Sequence, residues 1–417
     1  MKNYCVVDEN LTDSFVGIRF RDGMPEVVFP RGFDISDDEI ECRRDIFRLL
    51  AVLRRFSSKK DGQNAHEGNQ LVSSIPLLAY QHILFDFLAH GYYVENETRY
   101  ISGSKGKIHW KRTIQQEKPH LDSNNVVYLK FQIKKSKINE DNLISRIHRY
   151  CVYQCFLKFG WLFFPSSYLP PKPLLKVDKT LFTTALKHAM SNTFNDEKRK
   201  LFQSMIDIIS DKDSNLNRSD FSIGINGFET VWERLIDYIF GEANKDEYFP
   251  HATWHILHNG RLSQSSSLEP DTIMEYNGKV YVLDAKYYKF GITGNPSHLP
   301  PSSSIQKQIT YGKYIAEKFC KSHKDRVYNA FLMPFNAHST QKMKFIGVGT
   351  ADWEEYTTST KNYNYVLGIL IDTKWLISEY VRRNLPEIEK LAKLIEESIS
   401  LYRQMTESET TTLPSNK

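Results

Sequence analysis

Hydrophobic and polar positions alternate early in the chain. FVGIRF (Phe15–Phe20) and MPEVVFP (Met24–Pro30) each have the period of two expected of strands, and Arg21-Asp22-Gly23 between them predicts a hairpin turn. The period then lengthens. Ser36-Asp37-Asp38-Glu39 reads as a helix start, followed by Ile46, Leu49, Leu50 and Leu53 at helical spacing, and then by a polar loop, Ser57–Gln70. Further on, Ile75–His90 predicts a helix ended by Gly91, Tyr92–Tyr100 a strand, and Asn139–Phe159 a helix closed by Gly160. Pro165 to Pro173 holds four of the sixteen prolines and predicts a rigid loop.

A third block begins near Phe221. Phe228–Phe240 is amphipathic and predicts a helix, and His251–His258 reads as a strand. Two hydrophobic runs, Glu269–Tyr276 and Lys279–Tyr288, flank the tight-turn pair Asn277-Gly278 and predict a second hairpin. A polar loop (Gly291–Ser304), a helix (Ile305–Lys321) and strands at Tyr328–Phe335, Lys344–Gly349 and Val366–Ile371 follow. Trp375–Met405 reads as mostly helical with a break at Pro386.

These patterns predict four segments. Residues 1–70 form a hairpin plus helix suited to docking a partner; 71–220 form an α+β linker that binds DNA or a partner; 221–404 form an α/β domain with a mixed sheet flanked by helices; 405–417 form a disordered tail.

Composition narrows the class. With 41% hydrophobic residues, 25 Phe and 23 Tyr, the 417-residue chain can build sizeable cores. Its 55 Lys and Arg against 50 Asp and Glu leave a net charge of +5, which permits an acidic partner without demanding one. Five cysteines, an odd number with no C-x-x-C pair, point to a reduced intracellular protein, and Cys151 and Cys155 read as small core hydrophobes. No N-terminal signal core and no apolar run of about 18 residues is present, so the expected location is the cytoplasm, with no membrane partner.

Positive charge concentrates between Lys105 and Lys137, where Lys107, Lys111 and Arg112 surround Trp110. This mixture suits phosphate binding, and equally a solvated strand face or salt bridges at a junction. His251, His255 and His258 have a spacing that a helix would turn into a metal-binding face, but their flanks favour a strand, which does not.

The chemistry sits in the second hairpin. Pairing across Asn277-Gly278 brings Asp271 and Asp284 to one end of a two-stranded unit, with Lys286 on the same strand face as Asp284. Hydrolysis of a phosphodiester needs a hard cation near the scissile phosphate, and two carboxylates plus the Ala285 carbonyl suffice for magnesium, which keeps several of its waters. Lys286 would then orient the water or stabilise developing negative charge.

Pro270-Asp271, twelve residues, then Asp284-Ala285-Lys286 resembles the PD-(D/E)xK nuclease motif, and the predicted element order is similar to that superfamily's core. The resemblance implies that Glu233, in VWERL, adds a metal ligand directly or through the surrounding shell, and that Gln308, in SIQKQITYGKY, orients substrate or water. The related Q-x-x-x-Y spacing is not matched, since Tyr311 follows Gln308 after two residues. Tyr287 and Tyr288 lie on alternating faces, one packing inward and one lining the cleft.

FVGIRF, FPRGF, KGKIHWKRTI, VWERL and PDTI…VLDAKYY together resemble the LlaJI-type restriction endonucleases and, more distantly, the McrC-like nuclease subunit of McrBC systems. This implies a restriction enzyme that cuts double-stranded DNA with Mg²⁺, or Mn²⁺ in its place, leaving a 5′-phosphate. It implies as partners a separate McrB-like AAA+ motor that uses GTP or ATP, and a cognate methyltransferase. The chain has no G-x-x-x-x-G-K-[ST] loop of its own; GSKGKI (Gly103–Ile108) has the wrong spacing. Two other readings stand beside this one: an assembly factor that stimulates the motor's nucleotide hydrolysis, and a repair or recombination nuclease.

Overall fold

The computed structural model describes residues 2–8, 15–21, 24–56, 72–73, 76–122, 125–139, 141–164, 168–210, 221–258, 261–265, 267–337, 340–353, 361–380 and 385–412. The chain divides into two compact units, residues 1–72 together with 220–417, and residues 73–219.

The first unit is discontinuous in sequence because its N-terminal strands complete a sheet with a strand far along the chain. β1 (Cys5–Val7), β2 (Phe15–Arg21), β3 (Met24–Phe29) and β4 (Phe221–Asn226) are hydrogen-bonded in the order β1-β3-β2-β4. The antiparallel β2–β3 pair is the first predicted hairpin; Asp22 and Gly23 of its turn lie outside the described residues, as does the predicted loop Ser57–Gln70. β4 runs antiparallel to β2 from Phe221↔Phe20 to Asn226↔Phe15. The helix α1 (Glu39–Phe56) starts where Asp38 accepts the Glu41 amide, and it buries Ile46, Leu49, Val52 and Leu53 at helical spacing.

The unit's larger sheet is mixed. β7 (Thr272–Tyr276), β8 (Lys279–Ala285), β9 (Val327–Phe335), β11 (Val366–Asp372) and β10 (Met343–Gly349) lie in the order β7-β8-β9-β11-β10. β8, β9 and β11 are parallel to one another, and β7 and β10 are antiparallel edges. Every residue of β9 is buried, as a central strand covered on both faces requires. The covering helices include α2 (Glu229–Phe240), α3 (Ser302–Lys318) and α5 (Leu385–Thr412); the last buries Ile388, Leu391, Ala392, Ile395 and Ile399.

Three expectations are corrected here. The segment His251–His258 contributes only a short strand, β5 (Thr253–Ile256), paired with β6 (Arg261–Gln264) in a separate exposed ribbon. The sheet takes its strands after β8 instead, from Val327–Phe335, Met343–Gly349 and Val366–Asp372. The C-terminal helix is two helices, α4 (Thr373–Ser378) and α5, with Pro386 in the first turn of α5, where a missing N–H costs nothing. The second of them continues through Met405 to Thr412, and residues 413–417 of the expected tail lie outside the described residues.

In the second unit, helices Leu77–His90, Leu143–Phe163, Lys179–Ser191 and Asp196–Ser210 accompany an antiparallel pair, Glu95–Gly103 with Phe131–Asn139. The helix expected to close at Gly160 runs on to Phe163, and Cys151 and Cys155 are buried in it as reduced thiols. Lys107–Ile108 and the helix Trp110–Gln116 carry the basic segment. Among the described residues, no helix is long and apolar enough to cross a membrane.

Candidate active site

The site grows out of the β7–β8 hairpin. Asn277 (φ 50°) and Gly278 (φ 68°) both occupy the left-handed region, which a two-residue turn between twisted strands requires. The turn sets the register Thr272↔Leu283, and one further step places Asp271 opposite Asp284. The Ala285 amide donates to Asp271 Oδ2 at 3.0 Å, fixing the carboxylate of one strand against the backbone of the other. Lys286 shares Asp284's strand face, and its Nζ lies 2.7 Å from Asp284 Oδ2.

Glu233 arrives from α2. The neighbouring Trp232 is wholly buried and donates its indole N–H to the Leu332 carbonyl of β9 at 3.2 Å. That carbonyl also accepts the Lys286 amide at 2.9 Å. One backbone oxygen therefore ties the Glu233 turn of α2 to the end of β8.

These groups act on one another electrostatically. Burial, a hydrogen bond with Asp284 and its charge push the Asp271 carboxyl up to about 8, with Glu233 adding to the rise and Lys286 opposing it. Burial likewise raises Glu233, with Lys286 pulling down and Asp284 pushing up. Burial alone would lower Lys286, but Asp284 and Asp271 outweigh it and hold the amine above its ordinary range, as an ammonium. Asp284 thus contacts the Lys286 ammonium, with Asp271 and Glu233 in electrostatic reach of it.

The donors are all hard oxygens with surplus negative charge, which fits a divalent ion such as Mg²⁺. Among the described residues, no group of three or more His, Cys, Asp or Glu side chains is placed to hold a metal ion. Two converging carboxylates suit an ion that retains most of its water.

The other predicted residues fall elsewhere. Gln308 is buried, and its amide donates to the Val282 carbonyl at 2.7 Å, so it braces β8 from α3 and does not point to solvent. Tyr311 donates to the Glu269 carbonyl at 3.3 Å, steadying the approach to Asp271. Tyr287, expected among the DNA contacts, is corrected: its ring packs against Phe228 and Trp232 and its hydroxyl accepts the Arg31 amide, so nothing of it faces outward. Tyr288 is half-buried against the Phe331 and Met333 cluster. Lys107, Lys111 and Arg112 are exposed in the other unit, where Arg112 stacks over Tyr100 at 4.1 Å.

Lys245 was not legible in the sequence. Its Nζ contacts the Asp271 carbonyl at 2.6 Å and Asp237 at 2.8 Å, from the start of a short 3-10 helix, Lys245–Tyr248, with no motif to mark it. It lines, with Arg55 and Arg234, a cavity of about 520 Å³ that opens on Asp271 and Glu233.

The model of the LlaJI restriction endonuclease family matches residues 15–358. A component of the type II restriction enzyme BsuMI, YdjA of Bacillus subtilis (strain 168), is 25% identical over 414 residues, covering 92% of this chain and 86% of that protein. Among solved structures, the chain is similar to one in the refined half-complex from a tetradecameric assembly of Thermococcus gammatolerans McrB AAA+ hexamers with bound McrC. The TM-score is 0.35 at 16% identity, over 88% of this chain and 81% of that one.

Proposed function

The chain belongs to the LlaJI restriction endonuclease family, and from that premise we propose that it is a restriction nuclease of the PD-(D/E)xK type that hydrolyses DNA phosphodiester bonds with Mg²⁺. The observation that carries this reading is the convergence of Asp271, Asp284 and Lys286 at one end of a hairpin, with Glu233 in electrostatic reach.

Asp271 and Asp284 would hold the ion with the Ala285 carbonyl, and Glu233 would assist. Mg²⁺ so held supplies Lewis-acid polarisation of the phosphoryl group and a more acidic water. Lys286, kept protonated by its carboxylate neighbours, is suited to orienting the attacking water and to balancing charge on the phosphoryl oxygens, and less suited to removing a proton. Gln308 contributes by holding β8 in place. The cations of the adjacent cavity offset its carboxylates where a DNA strand would pass.

The partner reading is a separate AAA+ motor. It rests on the likeness of the chain's motifs to McrC-like subunits and on the lack of a phosphate-binding loop in these residues. Exposed Lys107, Lys111 and Arg112 are offered to DNA or to that partner. A cognate methyltransferase belongs to the same reading.

The test is cleavage of unmodified plasmid DNA with Mg²⁺, comparing the intact chain with Asp284→Ala and Lys286→Ala, with and without an AAA+ partner and GTP or ATP. Cutting by the intact chain alone, with losses of about 10³-fold in both variants, is the expected result. Variants that cut as well as the parent would refute the site. Stimulated nucleotide hydrolysis without any cutting would favour an assembly factor.

A further inference from the structure

We propose that Arg31 is a positioning residue for Lys286, holding the chain immediately beyond it; the inference rests on the nuclease reading above.

Lys286 stands one residue past the end of β8, with its amide still held by the Leu332 carbonyl of β9. The backbone turns sharply there, with the Tyr288 amide donating to the Lys286 carbonyl at 2.8 Å. What fixes that turn comes from the N-terminal part of the same unit. Arg31 grips Tyr287 in three ways: its backbone amide donates to the Tyr287 hydroxyl at 2.7 Å, its Nη1 donates to the Tyr287 carbonyl at 3.0 Å, and its guanidinium lies 4.9 Å from the ring centre.

The loop that carries Arg31 is itself clamped to the ends of the sheet strands. The Thr373 hydroxyl donates to the Arg31 carbonyl at 2.7 Å, just beyond β11. Lys374 donates to the Asp34 carbonyl at 3.1 Å, and the Asn336 amide donates to Asp34 at 3.3 Å, just beyond β9. Gly32, at φ 71°, lies so close to Phe335 that a Cβ there would meet its backbone at 2.7 Å. The FPRGF motif thus becomes a cradle across the ends of β8, β9 and β11.

Arg31 is half-buried and faces the buried Asp8 across 3.5 Å. For stability alone, such a pair offers little over apolar packing. A guanidinium adds a flat face for the ring and fixed donors for the carbonyl, which Lys cannot reproduce together. Geometry, not charge, is what this site uses.

The test measures single-turnover cleavage of unmodified plasmid DNA by the full chain, under the conditions in which the unsubstituted chain cuts. DNA binding with Ca²⁺ in place of Mg²⁺ and the melting midpoint are measured alongside. Arg31→Met is expected to slow cleavage by about 100-fold with DNA affinity unchanged. Arg31→Lys, which keeps the charge beside Asp8, is expected to restore the melting midpoint but to remain at least about 10-fold slow. If Arg31→Met does not fold, Tyr287→Phe, lacking only the hydroxyl, carries the test and is expected to cut more slowly at unchanged affinity. Native cleavage rates in Arg31→Lys and Tyr287→Phe overturn the inference, as does a rate loss that follows DNA binding and melting. Lys286→Ala separates the two readings. If it is inactive while both Arg31 variants cut normally, only the positioning role falls; if the unsubstituted chain never cuts, both fall.

Discussion

Trp232 and Lys286 donate to the same oxygen, the carbonyl of Leu332, at 3.2 and 2.9 Å. The α2 helix and the end of β8 are therefore located from one point on β9, and the distance between Glu233 and the Lys286 ammonium depends on both bonds. Trp232→Phe keeps most of the packing and deletes one donor. We expect a stability loss of about 1–2 kcal/mol by denaturant titration. Cleavage should slow by about 10-fold while DNA affinity holds. A variant with unaltered rate would show that the helix is located by packing alone.

Asp271 gives a prediction in the opposite direction. Its carboxyl holds a proton more tightly in the folded chain than the ordinary aspartate value of 3.8 allows, so the unfolded chain binds fewer protons between there and about 8. Stability from this group is present at low pH and is lost as pH rises through that window. Asparagine keeps an acceptor for the Ala285 amide and carries no charge. In EDTA, Asp271→Asn should melt higher than the parent, the gap widening from pH 5 to pH 8 to about 5 °C, while Mg²⁺-dependent cleavage is lost. A gap that stays constant with pH would show that the carboxyl ionises freely.

His148 has the reverse sign. It lies fully buried in the helix Leu143–Phe163 and accepts the Tyr93 amide at 3.1 Å, and burial lowers its pKa from 6.5 to about 4 despite the opposing pull of Asp86. The unfolded chain binds the additional proton between those values, so stability is complete above pH 6.5 and falls as pH drops towards 4. The total is on the order of 3 kcal/mol. Urea titrations from pH 7.5 to 4.5 should show this decline in the parent and a shallower one in His148→Gln; parallel curves would remove His148 as the cause.

Gly32→Ala tests the cradle independently of Arg31. The left-handed backbone and the clash with Phe335 together predict a cost above about 2 kcal/mol. A melting midpoint within about 1 °C of the parent's would mean that the loop can move off the strand ends without penalty.

Local signals carried the hairpin into view. Period-two runs on either side of Asn277-Gly278 placed Asp271 and Asp284 at one end, and the register agrees. The helices Lys179–Ser191 and Asp196–Ser210 had signals that could have been read, since Asp178 caps Leu181 and Asn195 caps Lys198. Other features had no local sign. Pairing of β4 with β2 joins distant segments, and nothing in either specifies the partner. Gln308 sat at a plausible distance in sequence, but the direction of its amide depends on the fit of α3 against β8. Tyr287 was one of two alternating tyrosines, and only the position of Arg31 shows which of them turns inward.

The hairpin also constrains how this family can change. Twelve residues separate Asp271 from Asp284, with the turn in the middle. Losing or gaining one residue on either strand would shift the register and carry one carboxylate to the opposite face of the sheet. Substitutions along these strands can be absorbed by repacking, whereas a change in their length cannot. The segment is fixed in count more strictly than in composition, so descendants of this chain should vary there by exchange and keep their insertions for the loops.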